Sequence, residues 1–165
     1  SIDVWLEVFA ANSALFNIAT VGIHRLSVPG LTIDSINELF NFPAESDPAD
    51  KLANLQIDYV TISGNEDRLW RDLIPRSSPD KPQLVRISVF DEQAHAGSIH
   101  LHEMPALLQN LLIRNIPSLL DMCKAEKRTL VLTSDHGFSF TPKGLSHGNG
   151  GPYEQSIFRI DWLFG

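Results

Sequence analysis

Three segments of the chain are predicted to form helices. In residues 2–15 the apolar positions fit neither the helix nor the strand period cleanly, but three alanines favour a helix. Residues 33–40 predict a second helix, with Thr32 as its N-cap because a threonine hydroxyl can accept a hydrogen bond from the first turn. Residues 104–127 predict a long third helix in which Pro117 indicates a kink.

Four short apolar runs outside these helices predict strands. They cover residues 18–23, 57–60, 84–90 and 129–133, and the last two are apolar nearly throughout. Strands that are separated by helical stretches and lack polar alternation are typical of a parallel sheet with both faces covered. The pattern therefore predicts a three-layer α/β/α fold with a mostly parallel central sheet.

Composition narrows the class of protein. The chain has 165 residues, of which 43% are hydrophobic and 20% charged, as expected for one globular domain over residues 1–165. Charged residues or prolines interrupt every apolar stretch well before the roughly 20 residues that span a bilayer, so no membrane partner is expected. A single cysteine, Cys123, excludes an intramolecular disulfide framework and an all-cysteine zinc site, and cytoplasmic residence is the default expectation. The net charge of −7 argues against a broad basic surface for duplex nucleic acid.

Acidic residues follow the last two predicted strands. Asp91 and Asp135 stand at these strand ends, and in an open α/β sheet the carboxyl ends of the strands form the ligand crevice. Three histidines are close in sequence to such positions: His95 four residues after Asp91, His136 directly after Asp135, and His147 in a glycine-rich segment. Each feature alone is more often a turn or surface residue, but together these carboxylates and imidazoles suit zinc or manganese.

The string Ser134-Asp135-His136-Gly137 resembles the Ser-Asp-His-Gly signature of the alkaline phosphatase superfamily. Phe138, which follows the glycine, makes the string most similar to the PglZ branch of that superfamily. The resemblance extends over roughly residues 19–164 and implies an alkaline phosphatase-like fold. Its specific motifs are confined to three short strings.

Two further motifs agree with this resemblance in order and spacing. An Asp-x-x-x-His motif is matched by Asp91 and His95, and a late His-Gly before a glutamate is matched by His147 and Glu154. The resemblance implies two divalent cations, zinc or else manganese. One would be held by Asp91, His95 and His147, and the other by Asp135 and His136.

The resemblance also implies a threonine or serine nucleophile, for which Thr32 is the candidate. Thr32 stands in Val-Pro-Gly-Leu-Thr, which is loosely similar to the string that presents the PglZ nucleophile at a helix start. The alternative is that Thr32 is only an N-cap. Lys143 is the best-placed candidate to neutralise a substrate phosphate because its loop lies between two ligand motifs, and Arg25 and Arg86 are further candidates.

One expected ligand has no counterpart in the sequence. The family has another aspartate at the end of its first strand. Asp3 is the only aspartate at the start of the chain, and the residues Val-Trp-Leu that follow it do not resemble that motif. We therefore expect a domain fragment that lacks its first strand and belongs to a longer protein with additional domains. Loss of that ligand, and with it of catalysis, is the other explanation.

Two classes of function follow. The first is a two-metal phosphomonoesterase or phosphodiesterase with a phosphoester substrate, such as a nucleotide or oligonucleotide, and the isolated chain would be slow or inactive. The second is a catalytically incomplete metal-binding or scaffold domain of a larger bacterial phage-defence or signalling protein. A sulfatase is disfavoured because Cys123 lies in a predicted helix, whereas a phosphomutase stays open.

Overall fold

The computed structural model describes residues 2–16, 20–28, 31–63, 68–78, 80–89, 91–92, 100–141, 144–148 and 150–164. Helices and strands alternate along much of the chain, and a 3-10 turn at Leu101–Glu103 precedes the longest helix. The helices are α1 (Ile2–Ala11), α2 (Ser13–Phe16), α3 (Thr32–Leu39), α4 (Pro48–Asn54), α5 (Trp70–Leu73), α6 (Met104–Ala125) and α7 (Pro152–Gln155). The strands are β1 (Thr20–Arg25), β2 (Asp58–Ile62), β3 (Gln83–Ile87), β4 (Leu130–Thr133), β5 (Ser139–Thr141), β6 (Gly144–Ser146) and β7 (Ser156–Trp162).

Within these residues the strands form three separate sheets. The largest has the order β1-β7-β4, and β7 runs antiparallel to both of its neighbours. A second sheet consists of β2 and β3 in parallel, and a third of the antiparallel hairpin β5-β6. The segment that carries the glycine-rich string therefore lies between a hairpin and the returning strand β7.

The prediction of a mostly parallel, alkaline phosphatase-like three-layer sheet is wrong. Only β2 and β3 pair in parallel in the described part of the chain, and the strand at the centre of the largest sheet is antiparallel. The apolar composition of β3 and β4 suggested parallel neighbours, but composition reports how a strand is covered and not the direction of its partner. The residues described between β4 and β7 form a hairpin and one short helix, and β7 returns beside β4 in the opposite direction.

The main core lies between α6, α1 and β7. Leu108, Leu112 and Ile116 recur at helical spacing on α6 and are almost fully buried. On β7 the buried side chains include Phe158 and Trp162, and the indole Nε1 of Trp162 donates to the carbonyl oxygen of Leu15 at 3.1 Å. This packing fixes β7, and through β7 the strand β4 that leads into the Asp-His string.

Most of the predicted helix and strand positions are confirmed, with one functionally relevant difference. Leu31 occupies the N-cap position of α3 without a side-chain cap bond, and Thr32 is the first residue of the helix. The prediction that Thr32 caps this helix is therefore wrong, and its hydroxyl makes other contacts. Pro117 lies inside α6, which continues to Ala125.

No helix among the described residues has both the length and the apolar character that crossing a membrane requires. The single domain over residues 1–165, its missing first strand and its cytoplasmic residence stay predictions.

Candidate metal centre

Three of the predicted metal ligands converge in the structure. Asp91, His136 and His147 each offer one ligand atom, and these atoms all lie within 4.8 Å of one another. Asp91 follows β3, His136 follows β4, and His147 directly follows β6. The three sheets thus each contribute one side chain to this group, which we call the metal group.

The ring of His136 is fixed by its own loop. Its side chain is only 2% exposed, and Nδ1 lies 3.0 Å from the carbonyl oxygen of Gly137. Because a carbonyl can only accept, this contact is a hydrogen bond when Nδ1 carries the proton. The neutral ring then has its lone pair on Nε2, the atom available to a metal or to a hydroxyl.

His147 lies against both other members of the metal group. Its Nε2 is 3.0 Å from Oδ1 of Asp91, and its ring stacks on that of His136 with centroids 4.5 Å apart. Phe138 approaches both imidazoles edge-on, at 5.2 Å from His136 and 5.5 Å from His147. The aromatic contact restrains both rings because each can turn only by displacing a packed neighbour.

A hydroxyl and a guanidinium group adjoin the metal group. The terminal NH2 nitrogen of Arg86 donates to Oδ2 of Asp91 at 2.8 Å and to Oγ1 of Thr32 at 3.3 Å. The same Oγ1 lies 3.5 Å from Nε2 of His136. The hydroxyl of Thr32 therefore stands between a permanent positive charge and the imidazole nitrogen that faces the metal group.

Asp135 lies at the margin of this arrangement. Its Oδ1 accepts a hydrogen bond from the backbone N–H of His136 at 3.1 Å, and its Oδ2 is 3.7 Å from Nε2 of that residue. The carboxylate is one-third exposed, so it can still turn toward a cation. Asp135 is not one of the three side chains whose ligand atoms converge.

Two buried contacts position the histidine loops. A Cβ added at Gly137 would lie 2.0 Å from the carbonyl oxygen of Tyr153, so only glycine fits there. The N–H of Gly137 donates to the carbonyl oxygen of Glu154, whose carboxylate oxygen Oε2 accepts from the N–H of Gly150. Glu154 is fully buried and thus connects the loop of His136 with the loop after His147.

The remaining predicted residues have different outcomes. His95 and Lys143 lie outside the described residues, and their roles stay predictions. Arg86, named only as one of three candidate phosphate ligands, adjoins the metal group, whereas Arg25 contacts the side chain of Gln155 at 3.4 Å on an exposed surface. Cys123 is buried on α6, and burial raises the pKa of its thiol, with a further contribution from Glu126.

Sequence reasoning did not assign a role to the Gly137 and Glu154 contacts. The Ser-Asp-His-Gly string showed that a glycine follows the histidine, but the carbonyl that excludes a side chain comes from a segment 16 residues further along the chain, at Tyr153. The pattern of apolar residues along a sequence does not reveal that a glutamate such as Glu154 is buried. Only its spacing after His147 pointed to it.

No protein-family model, curated protein or solved structure matches this chain.

Proposed function

We propose that this protein is a metal-dependent phosphohydrolase that acts on phosphomonoesters or phosphodiesters, with Thr32 as its nucleophile. The observation that carries the proposal is the position of the Thr32 hydroxyl between Arg86 and His136, beside the metal group. This arrangement places a hydroxyl nucleophile, the guanidinium group of Arg86 and the imidazole and carboxylate donors of the metal group within hydrogen-bond range of each other.

The donor set of the metal group fits a divalent cation. One carboxylate and two imidazoles are common among three-ligand zinc sites that leave a position for substrate or water, and manganese also accepts such donors. Asp91, His136 and His147 would hold this cation. When bound, it would supply positive charge that polarises a phosphoryl oxygen and favours the ionised form of a nearby hydroxyl.

The proposal of a second cation rests on the resemblance and on Asp135. The three convergent ligands account for one ion. The resemblance assigns two of them, Asp91 and His147, to one metal and the third, His136, to the other. Asp135 is adjacent and one-third exposed, so it remains the candidate anchor of a second ion. The single lone pair of the His136 ring serves one ion at a time, so His136 would join Asp135 only by leaving the first ion.

Arg86 and Thr32 perform the parts of the reaction that need no cofactor. The hydroxyl of Thr32 gives its proton to solvent and its Oγ1 atom attacks phosphorus. A bond forms between Oγ1 and phosphorus, and the bond from phosphorus to the leaving oxygen breaks, with that oxygen taking a proton from water. The guanidinium group of Arg86 holds Oγ1 through the 3.3 Å contact and lies within reach of the phosphoryl oxygens, on which negative charge accumulates. Water then cleaves the phosphothreonine and releases phosphate or a phosphomonoester.

A second function has its own supporting observation. Arg86 already neutralises Asp91, and only three ligand side chains converge among the described residues, which is also compatible with a metal-binding module that turns nothing over. Such a module would bind zinc with the same residues but would need no nucleophile.

Substitution of Thr32 separates the two functions. We expect Thr32→Val to lose at least about 100-fold in turnover of bis-nitrophenyl phosphate or nitrophenyl phosphate with zinc or manganese, while Thr32→Ser retains a measurable part of the rate. Thr20→Val, at an exposed position on β1, is the matched control and should leave turnover unchanged. If the unmodified protein binds zinc but has no more phosphatase activity than Thr32→Val, the metal-binding module is favoured.

A further inference from the structure

A cavity of about 1280 Å³ extends from the metal group into the interior of the protein. Asp91 and His136 line it, and so does Arg86, which contacts both Asp91 and Thr32. Sites for small molecules are typically concave and mostly apolar, with a few polar groups that fix the orientation of the ligand. A ligand held at the metal group can therefore continue into this cavity.

Behind the metal group the lining of the cavity is mainly aliphatic. β3 and β4, which lead to Asp91 and His136, contribute apolar side chains to it, and so does α6. Many of these side chains are only half-buried, so an apolar ligand that covers them displaces water and is stabilised by the hydrophobic effect. The half-buried lining includes Leu84 and Val85 on β3, Leu130 and Leu132 on β4, and Leu111 and Met122 on α6.

Two hydroxyl groups that line the cavity already donate to the protein backbone. The side chain of Ser118 donates to the carbonyl oxygen of Asn115 at 3.0 Å, and that of Thr133 donates to the carbonyl oxygen of Phe158 at 2.7 Å. Neither hydroxyl has a proton left for a ligand, so the acceptor groups of a sugar or a nucleobase would find no donor in them. An alkyl chain needs no such donor.

We propose that the substrate is a phosphate monoester of a long unbranched alcohol, with its phosphate at the metal group and its alkyl chain in the cavity. This inference rests on the proposed phosphohydrolase function and narrows its substrate class. The aliphatic lining follows β3, whose five residues span roughly 16 Å. An extended chain of roughly twelve carbons has this length, since each carbon–carbon bond is about 1.5 Å long and the chain zigzags.

The charge of the protein favours an ester dispersed in water over one embedded in a membrane. The chain has a net charge of −7, and a bilayer surface that carries anionic lipids repels such a protein. A single dispersed ester has no comparable surface field. We therefore assign the cavity to a monomeric ester from solution.

Alkylphosphonates test the cavity without turnover, because their carbon–phosphorus bond is not hydrolysed. Ethyl-, hexyl- and decylphosphonate are titrated calorimetrically into the zinc-loaded protein, below the concentrations at which they form micelles. We expect the affinity to rise about threefold per methylene, so that decylphosphonate binds at least about 100-fold more tightly than ethylphosphonate. The same dependence on chain length is expected without zinc, at lower affinity throughout, because the alkyl chain does not contact the metal.

Turnover provides the second arm of the test. Hydrolysis converts decyl phosphate and one water into decanol and inorganic phosphate, and ethyl phosphate likewise gives ethanol. We expect kcat/KM for decyl phosphate to exceed that for ethyl phosphate by about the same factor as the affinities of the phosphonates, since the chain is bound in the transition state too.

Two matched variants locate the alkyl chain. Leu111 and Leu107 are both half-buried on α6, one helical turn apart, and of the two Leu111 lines the cavity and Leu107 does not. Leu111→Trp fills part of the cavity, so it should weaken binding of decylphosphonate at least about tenfold and leave that of ethylphosphonate unchanged. Leu107→Trp should leave both affinities unchanged. Equal affinity of the two variants for decylphosphonate would place the chain outside the cavity.

Two results with the unmodified protein would overturn the inference. If ethyl- and decylphosphonate bind equally tightly, the cavity does not take the chain, and the proposed function still stands if nitrophenyl phosphate is hydrolysed. If the protein sediments with phosphatidylglycerol vesicles, the ester does not come from solution.

Failure of the proposed function has a different signature. In that case the affinity would still rise with chain length, but neither decyl phosphate nor nitrophenyl phosphate would be hydrolysed. The long-chain ester would then be a ligand of the cavity and not a substrate, which overturns the substrate assignment.

Discussion

The two sides of the metal group are held by different forces. His136 and His147, the imidazole half, sit on loops connected by Glu154, and the ring of His136 is almost fully buried. The carbonyl oxygen of Tyr153 leaves no room for a side chain at the residue after His136. Packing and backbone hydrogen bonds thus determine where the imidazoles point.

The other side, which we call the hydroxyl half, consists of Asp91 and its neighbours Thr32 and Arg86. Contacts between partly exposed side chains join these three residues. The ion pair of Arg86 with Asp91 is about one-quarter exposed on each side, and the contact of Arg86 with Thr32 is a long hydrogen bond of 3.3 Å. A cation or a phosphate can replace such contacts at little cost. We therefore expect a bound cation or phosphate to leave the two imidazoles in place and to rearrange the charged side chains opposite them.

The largest expected effect comes from filling the space at Gly137. Gly137→Ala places Cβ 2.0 Å from the carbonyl oxygen of Tyr153, so the imidazole half must shift, and we expect urea unfolding to show a loss of about 3 kcal/mol. In the control Gly151→Ala the new Cβ meets only Ser139 Oγ at 3.6 Å, so the change should stay below about 1 kcal/mol. Equal stability of the two variants would show that the loop of His136 is not fixed by packing.

Removal of one imidazole should weaken metal binding without unfolding the protein. His147→Ala deletes one of three convergent donors, and we expect the zinc dissociation constant to rise at least about 100-fold in a competition titration, because even residues behind the ligands contribute 10- to 100-fold. His102→Ala, at an exposed histidine in the 3-10 turn, is the control. An unchanged dissociation constant for His147→Ala would remove this residue from the metal group.

The smallest effect on stability is expected in the hydroxyl half. Arg86→Gln breaks a partly exposed ion pair, so the free energy of unfolding should fall by about 1 kcal/mol or less. Turnover at saturating zinc should nevertheless drop about 100-fold, since the charge near the phosphoryl oxygens is lost. Arg25→Gln, which removes a guanidinium group that contacts Gln155 on an exposed surface, serves as the control, and equal turnover of both variants would exclude Arg86 from the mechanism.

Local chemistry made much of the metal group predictable. Asp91, His136 and His147 were identified because each follows a strand or lies in a glycine-rich segment, where a side chain can reach a crevice. Their ligand atoms lie within 4.8 Å of one another, although the resemblance divides the three residues between two metals. The helix over residues 104–127 was recognised from its length and periodicity and extends from Met104 to Ala125.

Long-range pairing was not predictable from the same signals. Whether β7 runs parallel or antiparallel depends on how the chain turns after β4, and the apolar pattern of either strand is compatible with both directions. Thr32 shows the same limit on a smaller scale. Its residue type favoured a cap, but the position of Arg86 across the fold gives its hydroxyl a different partner.

The central position of β7 has a consequence for how the protein is made. β7 is the last strand in the sequence, yet it separates β1 from β4, with Thr20 opposite Asp161 and Leu130 opposite Trp162. On the ribosome, β1 and β4 are both synthesised before the strand that joins them, so the largest sheet cannot close until residue 162 has emerged. Contacts between such distant parts of a chain slow folding. The nascent chain therefore presents open strand edges to chaperones from the synthesis of β1 until β7 has emerged.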